Sequence, residues 1–303
     1  MRYPEHLEPG LPPCQTAHMR AASGPAASDF DRAIELRDGD VPGERWARLD
    51  DRWQLGNGVN GGLLMAIAAH ALSQELDTDG LHPDPLAVSA YFLSPATPGD
   101  LVTQCMVLRA GRGMSSGQVV LAQHDEDGGT VERMRALATF GDLRERQEPV
   151  LRTTAAPKIC PPDDCFGRKE TPDFLAHSSL LHRMDLRLDP ASSGWLRGKP
   201  SQQGIISGWL RFADGREPDV FGLMWALDAM PPVAFDLGLA GWTPTLEFSA
   251  HFRAHPVPGW LQVELSTQNV AGGLMEEDAR IWDASGRLVA QSRQLCGYRP
   301  PRH

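Results

Sequence analysis

The chain has 303 residues, 41% of them hydrophobic and 22% charged, and carries a net charge of −10. That balance fits an ordinary globular protein of roughly two domains and argues against a general nucleic-acid binder. No apolar run approaches the ~20 residues of a membrane span, so neither nucleic acid nor membrane is expected as a partner.

Residues 1–28 are rich in Pro, Ala, Ser and Gly and read as a flexible N-terminal tail, with no basic-then-apolar leader. Five cysteines, odd in number and without a C-x-x-C pair, predict neither a disulfide framework nor a zinc site. A reducing cytoplasm is the expected location. A first unit over 29–145 opens with strand candidates at Asp31–Leu36 and Trp46–Leu49. The run GLLMAIAAHALSQEL then predicts a helix from Gly62 that is apolar on nearly every side and must be wrapped by other elements. Strands follow at Ala87–Leu93, Leu101–Ala110, Gln118–Gln123 and Thr130–Phe140, with Gly- and Pro-marked turns between them. The Pro-rich stretch 146–177 reads as a linker. A second unit over 178–303 repeats the plan, with strands near Leu181–Leu188 and Ile205–Phe212 and a helix from Val220 to Met230 stopped by Pro231-Pro232. Four strands come after it, near Thr243–Arg253, Trp260–Val270, Met275–Trp282 and Arg287–Tyr298.

The two units are copies. Gly62, Leu63, Ala66, Ala69, Leu86, Ser89, Ala90, Phe92, Pro98, Gly99 and Leu101 recur 160 positions later as Gly222, Leu223, Ala226, Ala229, Leu246, Ser249, Ala250, Phe252, Pro258, Gly259 and Leu261. In a register of 158, Asp125, Gly128, Val131, Arg135 and Leu137 match Asp283, Gly286, Val289, Arg293 and Leu295. Identities that keep register over this length imply a duplicated α+β folding unit, one helix against one antiparallel sheet.

That plan, with NGGLLMA, SAYFLSPATPGD and VLRAGRGMSSGQV in the first copy and WALDAMPP, GWTPTLEFSAHFRAHPVPGW and IWDASGRLVAQSRQL in the second, resembles the acyl-CoA thioesterase II family. The resemblance implies a double-hotdog fold, hydrolysis of acyl-CoA to a free acid and coenzyme A, a place in fatty acid metabolism, no cofactor or metal, and a homodimer. It also implies that Asp228, Thr245 and Gln294 are the catalytic residues. Their repeat partners are Ala68, Pro85 and Ala136, so the scaffold itself demands no polar group at those places. A thioester needs no covalent nucleophile. An ionised Asp228 can take a proton from water, with Thr245 and Gln294 orienting that water. Helix-start groups at Asn60, Gly61, Gly62 and Gly222 are candidates for the oxyanion, and Arg109 and Arg112 for the coenzyme phosphates.

Two other readings compete. A non-catalytic acyl-CoA or lipid binder would keep the pocket and survive loss of Asp228. An enoyl-CoA hydratase would need an Asp/His pair, for which Asp77 and His82 are the candidates. His251 and His255 are spaced as on a helix face but fall in a strand and a Pro turn, so they predict no metal.

Overall fold

The computed structural model describes residues 27–77, 79–125, 127–146, 149–170 and 178–299. The expected tail up to residue 26 and the linker positions 171–177 lie outside them. In the first half, α1 (Asp29–Ala33) and β1 (Arg37–Asp38) precede β2 (Glu44–Leu49), followed by the small hairpin β3 (Gln54–Leu55) and β4 (Gly58–Val59). Helix α2 (Gly61–Leu76) and the meander β5 (Asp84–Phe92), β6 (Gly99–Ala110), β7 (Ser115–His124) and β8 (Thr130–Gly141) complete it. The second half runs β9 (Met184–Leu188), β10 (Ile205–Phe212), α3 (Val220–Ala226), β11 (Thr245–Phe252), β12 (Leu261–Ser266), β13 (Val270–Ala271), β14 (Leu274–Trp282) and β15 (Leu288–Gly297).

All but β3 and β4 form one 13-stranded sheet in the order β1-β2-β6-β7-β8-β5-β11-β15-β14-β12-β10-β9, with β13 beside β14. The halves join where β5 and β11 run antiparallel, pairing Ser89 with Ser249 and Ala90 with Phe248. Ser89 and Ser249 are also the partners of the 160-residue repeat. A residue that pairs with its own copy marks a pseudo-twofold axis through the sheet, and the two hydroxyls meet across it at 3.2 Å. Edge-to-edge joining removes one exposed strand edge from each copy.

Helix α2 is wrapped as its composition requires. Met65, Ala66, Ile67, Ala69, Ala71 and Leu72 have no exposed surface, and Asn60 caps the helix by accepting the Leu63 N–H at 3.0 Å. At its start α2 meets α3. A Cβ on Gly62 would lie 2.8 Å from the Trp225 carbonyl oxygen, so only glycine admits the second helix that close.

Three expectations need correction. Asp31–Leu36 is no strand: Ser28 accepts the Asp31 N–H at 3.0 Å and caps a short helix with acidic residues in its first turn. The second helix covers seven residues rather than eleven: Pro231 has no N–H to offer the Leu227 carbonyl, and the Asp228 N–H bonds the Trp225 carbonyl three residues back, closing the helix in a tight last turn. Cys160 and Cys165 form a disulfide, brought to a Cα separation of 6.1 Å by the turn through Pro161-Pro162. None of the described helices is long and apolar enough to cross a membrane.

Candidate active site

A cavity of about 1050 Å³ opens between the halves, lined from the first by Asn60, Gly61, Leu64 and Phe92, and from the second by Asp228, Thr245, Glu277 and Gln294. Apolar side chains such as Trp195, Met230, Phe235 and Leu239 make up much of the rest of the wall. Such a lining suits an acyl chain, and the few polar groups suit one reactive bond.

Asp228 sits just past the end of α3, its N–H donated to the Trp225 carbonyl at 3.1 Å. Its Oδ2 accepts from the Gly62 N–H at 2.8 Å and from Asn60 Nδ2 at 3.1 Å, and its carbonyl accepts from Asn60 Nδ2 at 2.9 Å. The donors come from the N-terminal turn of α2, so the first copy's helix end holds the second copy's carboxylate. Enclosure in protein pushes the Asp228 carboxyl up to about 6, against the pull of the Gly62 amide, the Asn60 side chain and the Gly61 amide.

On the facing sheet Thr245 opens β11 and Gln294 lies on β15. The Thr245 hydroxyl donates to Gln294 Oε1 at 2.6 Å. Gln294 Nε2 donates in turn to Glu277 Oε1 at 2.6 Å, and Glu277 Oε2 accepts the Val233 N–H at 2.7 Å. Burial pushes the Glu277 carboxyl up to about 7, partly offset by the Val233 and Gln294 bonds, and the nearby Asp228 charge raises it further. Glu277 is absent from the sequence reading. The signal that finds it is the same repeat asymmetry: in the register of 158 its counterpart is Val119.

The remaining candidates divide. Gly61 faces the cavity, where a Cβ would meet Asp228 Oδ2 at 2.9 Å and Phe92 at 3.0 Å. Gly222 is elsewhere: its N–H is donated to the capping carboxylate of Asp219 at 2.7 Å and it does not line the cavity. The Asp219-x-x-Gly222 spacing is a helix cap and explains that glycine without chemistry. Arg109 and Arg112 are exposed at the β6–β7 turn and line no part of the cavity. The arginine that does is Arg299, exposed beside the half-exposed Trp242, which it pairs with through backbone bonds of 3.0 and 2.9 Å. Asp77 and His82 form no hydratase dyad. The Asp77 carboxylate accepts the His82 backbone N–H at 2.7 Å, and the buried imidazole contacts Ser115 Oγ at 2.9 Å, away from the cavity.

Residues 49–141 match the acyl-CoA thioesterase N-terminal domain and residues 158–298 the acyl-CoA thioesterase C-terminal domain. The chain is similar to the crystal structure of a putative thioesterase II from Thermobifida fusca YX, at 29% identity and a TM-score of 0.79 over 90% of this chain and 98% of that one. A hot dog fold protein of Alicyclobacillus acidocaldarius superposes with a TM-score of 0.77 at 21% identity, over 91% and 100% of the two chains. A Mycobacterium tuberculosis protein named only as uncharacterized is 28% identical over 265 residues, 82% of this chain and 88% of its own. Two adjoining family matches, together spanning most of both halves, and a thioesterase II relative aligned along nearly its whole length place the chain in the acyl-CoA thioesterase II family of double-hotdog proteins.

Proposed function

We propose that the protein hydrolyses acyl-CoA thioesters to a free carboxylic acid and coenzyme A, with Asp228 as general base. The observation that carries this reading is a carboxylate set into an apolar cavity, with donors from the other half of the chain converging on one of its oxygens. Those donors take Oδ2, which leaves Oδ1 to accept a proton from water. Thr245 donates to Gln294, which leaves its lone pairs to accept a hydrogen bond from the water's second O–H, while the other N–H of Gln294 Nε2 steadies the water oxygen. The water attacks the thioester carbonyl, Asp228 becomes neutral, and negative charge moves to the carbonyl oxygen. The positive end of α2 therefore faces one negative charge throughout, first on the carboxylate and then on the oxyanion, to which the Gly61 amide turns once Asp228 is neutral. Collapse expels the coenzyme A thiolate, which takes the proton held by Asp228. The acyl chain occupies the apolar wall around Met230, Phe235 and Leu239.

Thiol release measured against pH checks the base. Only the ionised carboxylate accepts a proton, so kcat/KM should fall about tenfold per pH unit below a midpoint near 6. A profile flat from pH 5 to 8 removes Asp228 from the role.

The coenzyme's phosphates are assigned to Arg299 at the exposed edge of the cavity. Arg299→Glu should raise KM for acyl-CoA about 5- to 20-fold with kcat little changed, the worth of one charge-assisted contact. Arg109→Glu and Arg112→Glu should each leave KM within about twofold. The opposite ranking in steady-state assays restores the turn arginines as the phosphate site.

A further inference from the structure

We propose that Glu277 is a positioning residue: it fixes which way the Gln294 amide points and, through it, which way the Thr245 hydroxyl points. The proposal rests on the thioesterase reading of this cavity and deepens it. Glu277 on β14 and Gln294 on β15 are direct partners in the sheet, both only 5% exposed. The carboxylate offers acceptors alone, and one of them is already held by the Val233 N–H at the turn after Pro231-Pro232. Gln294 must then present its NH2 to Glu277 and its oxygen to Thr245. Thr245 then donates to Gln294 Oε1 in preference to its other neighbour, the weakly accepting Cys296 sulfur, and keeps its lone pairs for the cavity it lines.

With an apolar residue at 277 the amide is free to turn over. Its NH2 then faces Thr245, the hydroxyl becomes the acceptor, and its O–H turns to the water or to the Cys296 sulfur, so its lone pairs are lost to the water. The first half shows that the scaffold does not need this pair. Its equivalent positions are Val119 and Ala136, again direct sheet partners, and both are buried and apolar. A buried carboxyl–amide pair costs more than the Val–Ala pair it parallels unless its hydrogen bonds are used. The acceptor-only character is complete once Glu277 is ionised, and its carboxyl is pushed up to about 7, first by burial.

The test compares wild type, Glu277→Gln and Glu277→Asp at about pH 8.5, alone and in a Thr245→Val background. Glu277→Gln keeps the shape but sets an amide N–H against either Val233 or Gln294. It should lower kcat about 10- to 100-fold with KM within about threefold. Glu277→Asp, still acceptor-only, should recover part of the loss. In the Thr245→Val background Glu277→Gln should cost clearly less than it does alone, because part of its action runs through that hydroxyl. A Glu277→Gln enzyme within twofold of wild type, or a loss that is fully additive with Thr245→Val, overturns the proposal. Side-chain amide NMR reads the orientation without turnover. The Gln294 NH2 pair, assigned by its absence in Gln294→Ala, should be protected from hydrogen exchange in wild type and exposed in Glu277→Gln. A wild type that releases no thiol defeats the thioesterase reading, while unprotected Gln294 protons in wild type defeat the role of Glu277.

Discussion

Asp228→Asn should lower the rate of thiol release from acyl-CoA about 10³-fold while leaving the affinity for a non-hydrolysable acyl-CoA thioether within a few-fold. The variant is close to isosteric. Asn can turn its oxygen toward Gly62 and Asn60 and keep both bonds that Oδ2 accepts, so the loop at the start of α2 stays in place. What disappears is the basic oxygen, and removing a general base costs about 10² to 10⁴ in rate. The same variant should be more stable than wild type at pH 8. The folded-state carboxyl sits near 6 against an ordinary value of 3.8. Between those values the folded chain binds more protons than the unfolded one, so wild-type stability falls as pH rises from about 4 to about 6 and stays lower above it. Asn carries no such deficit, and its gain at pH 8 should be on the order of 1 to 3 kcal/mol, measured by urea midpoint. Loss of activity together with gain of stability is the signature of a charge held in place for chemistry. A variant that still releases thiol at the wild-type rate would remove Asp228 from the chemistry, while a wild type that binds the thioether and releases no thiol from acyl-CoA would leave the binding-module reading standing in place of the hydrolase.

How much of this was legible in the sequence differs between the scaffold and its site. The architecture follows from the repeat: Ser89 and Ser249 are partners in the alignment and partners in the sheet, and the unbroken apolar face of α2 already required wrapping. The short elements were hidden because their causes are local. Ser28 with Asp29 and Asp31 makes a capped turn of helix out of residues whose alternation resembles a strand. Helix α3 ends at Ala226, two residues before Asp228, which delivers that carboxyl to the cavity rather than to the flank of a helix. In the site itself the family resemblance, seconded by the asymmetry between the copies, points to Asp228, Thr245 and Gln294, and all three line the cavity. The same comparison contains Glu277 opposite Val119, but a Glu in a strand of alternating exposure reads as a solvated face until its sheet partner is known. Arg299 has Gly141 as its counterpart and follows the last strand, where an arginine is unremarkable in sequence; its place at the cavity shows only in the fold, where its backbone bridges to Trp242 and both residues line the cavity.

Trp225→Ala should destabilise the whole chain by about 3 to 5 kcal/mol, the range for truncating a fully buried large aromatic. Trp225 is 1% exposed and sits at the centre of a cluster that crosses the chain's two halves. Phe212 stacks on it at 4.6 Å, while Trp53 and Phe30 of the first half approach it at 6.0 and 6.3 Å. Arg216 lies over Phe30 and Phe212 at 4.8 and 5.2 Å and pairs with Asp31 at 2.8 Å, closing the same seam from outside. Removing the indole therefore opens a void that neither half can fill alone. Activity should fall as well if the α3 backbone settles into the void, because the Trp225 carbonyl accepts the Asp228 N–H and lies against Gly62. Trp225→Phe separates packing from polarity. The indole Nε1 has no hydrogen-bond partner among the described residues, so losing that N–H costs nothing and the retained ring keeps most of the contacts. Urea midpoints should rank wild type first, Trp225→Phe next and Trp225→Ala well below both. An Ala variant within about 1 kcal/mol of wild type would mean that the halves are held together by the β5–β11 ladder and the polar contacts across the seam rather than by this cluster.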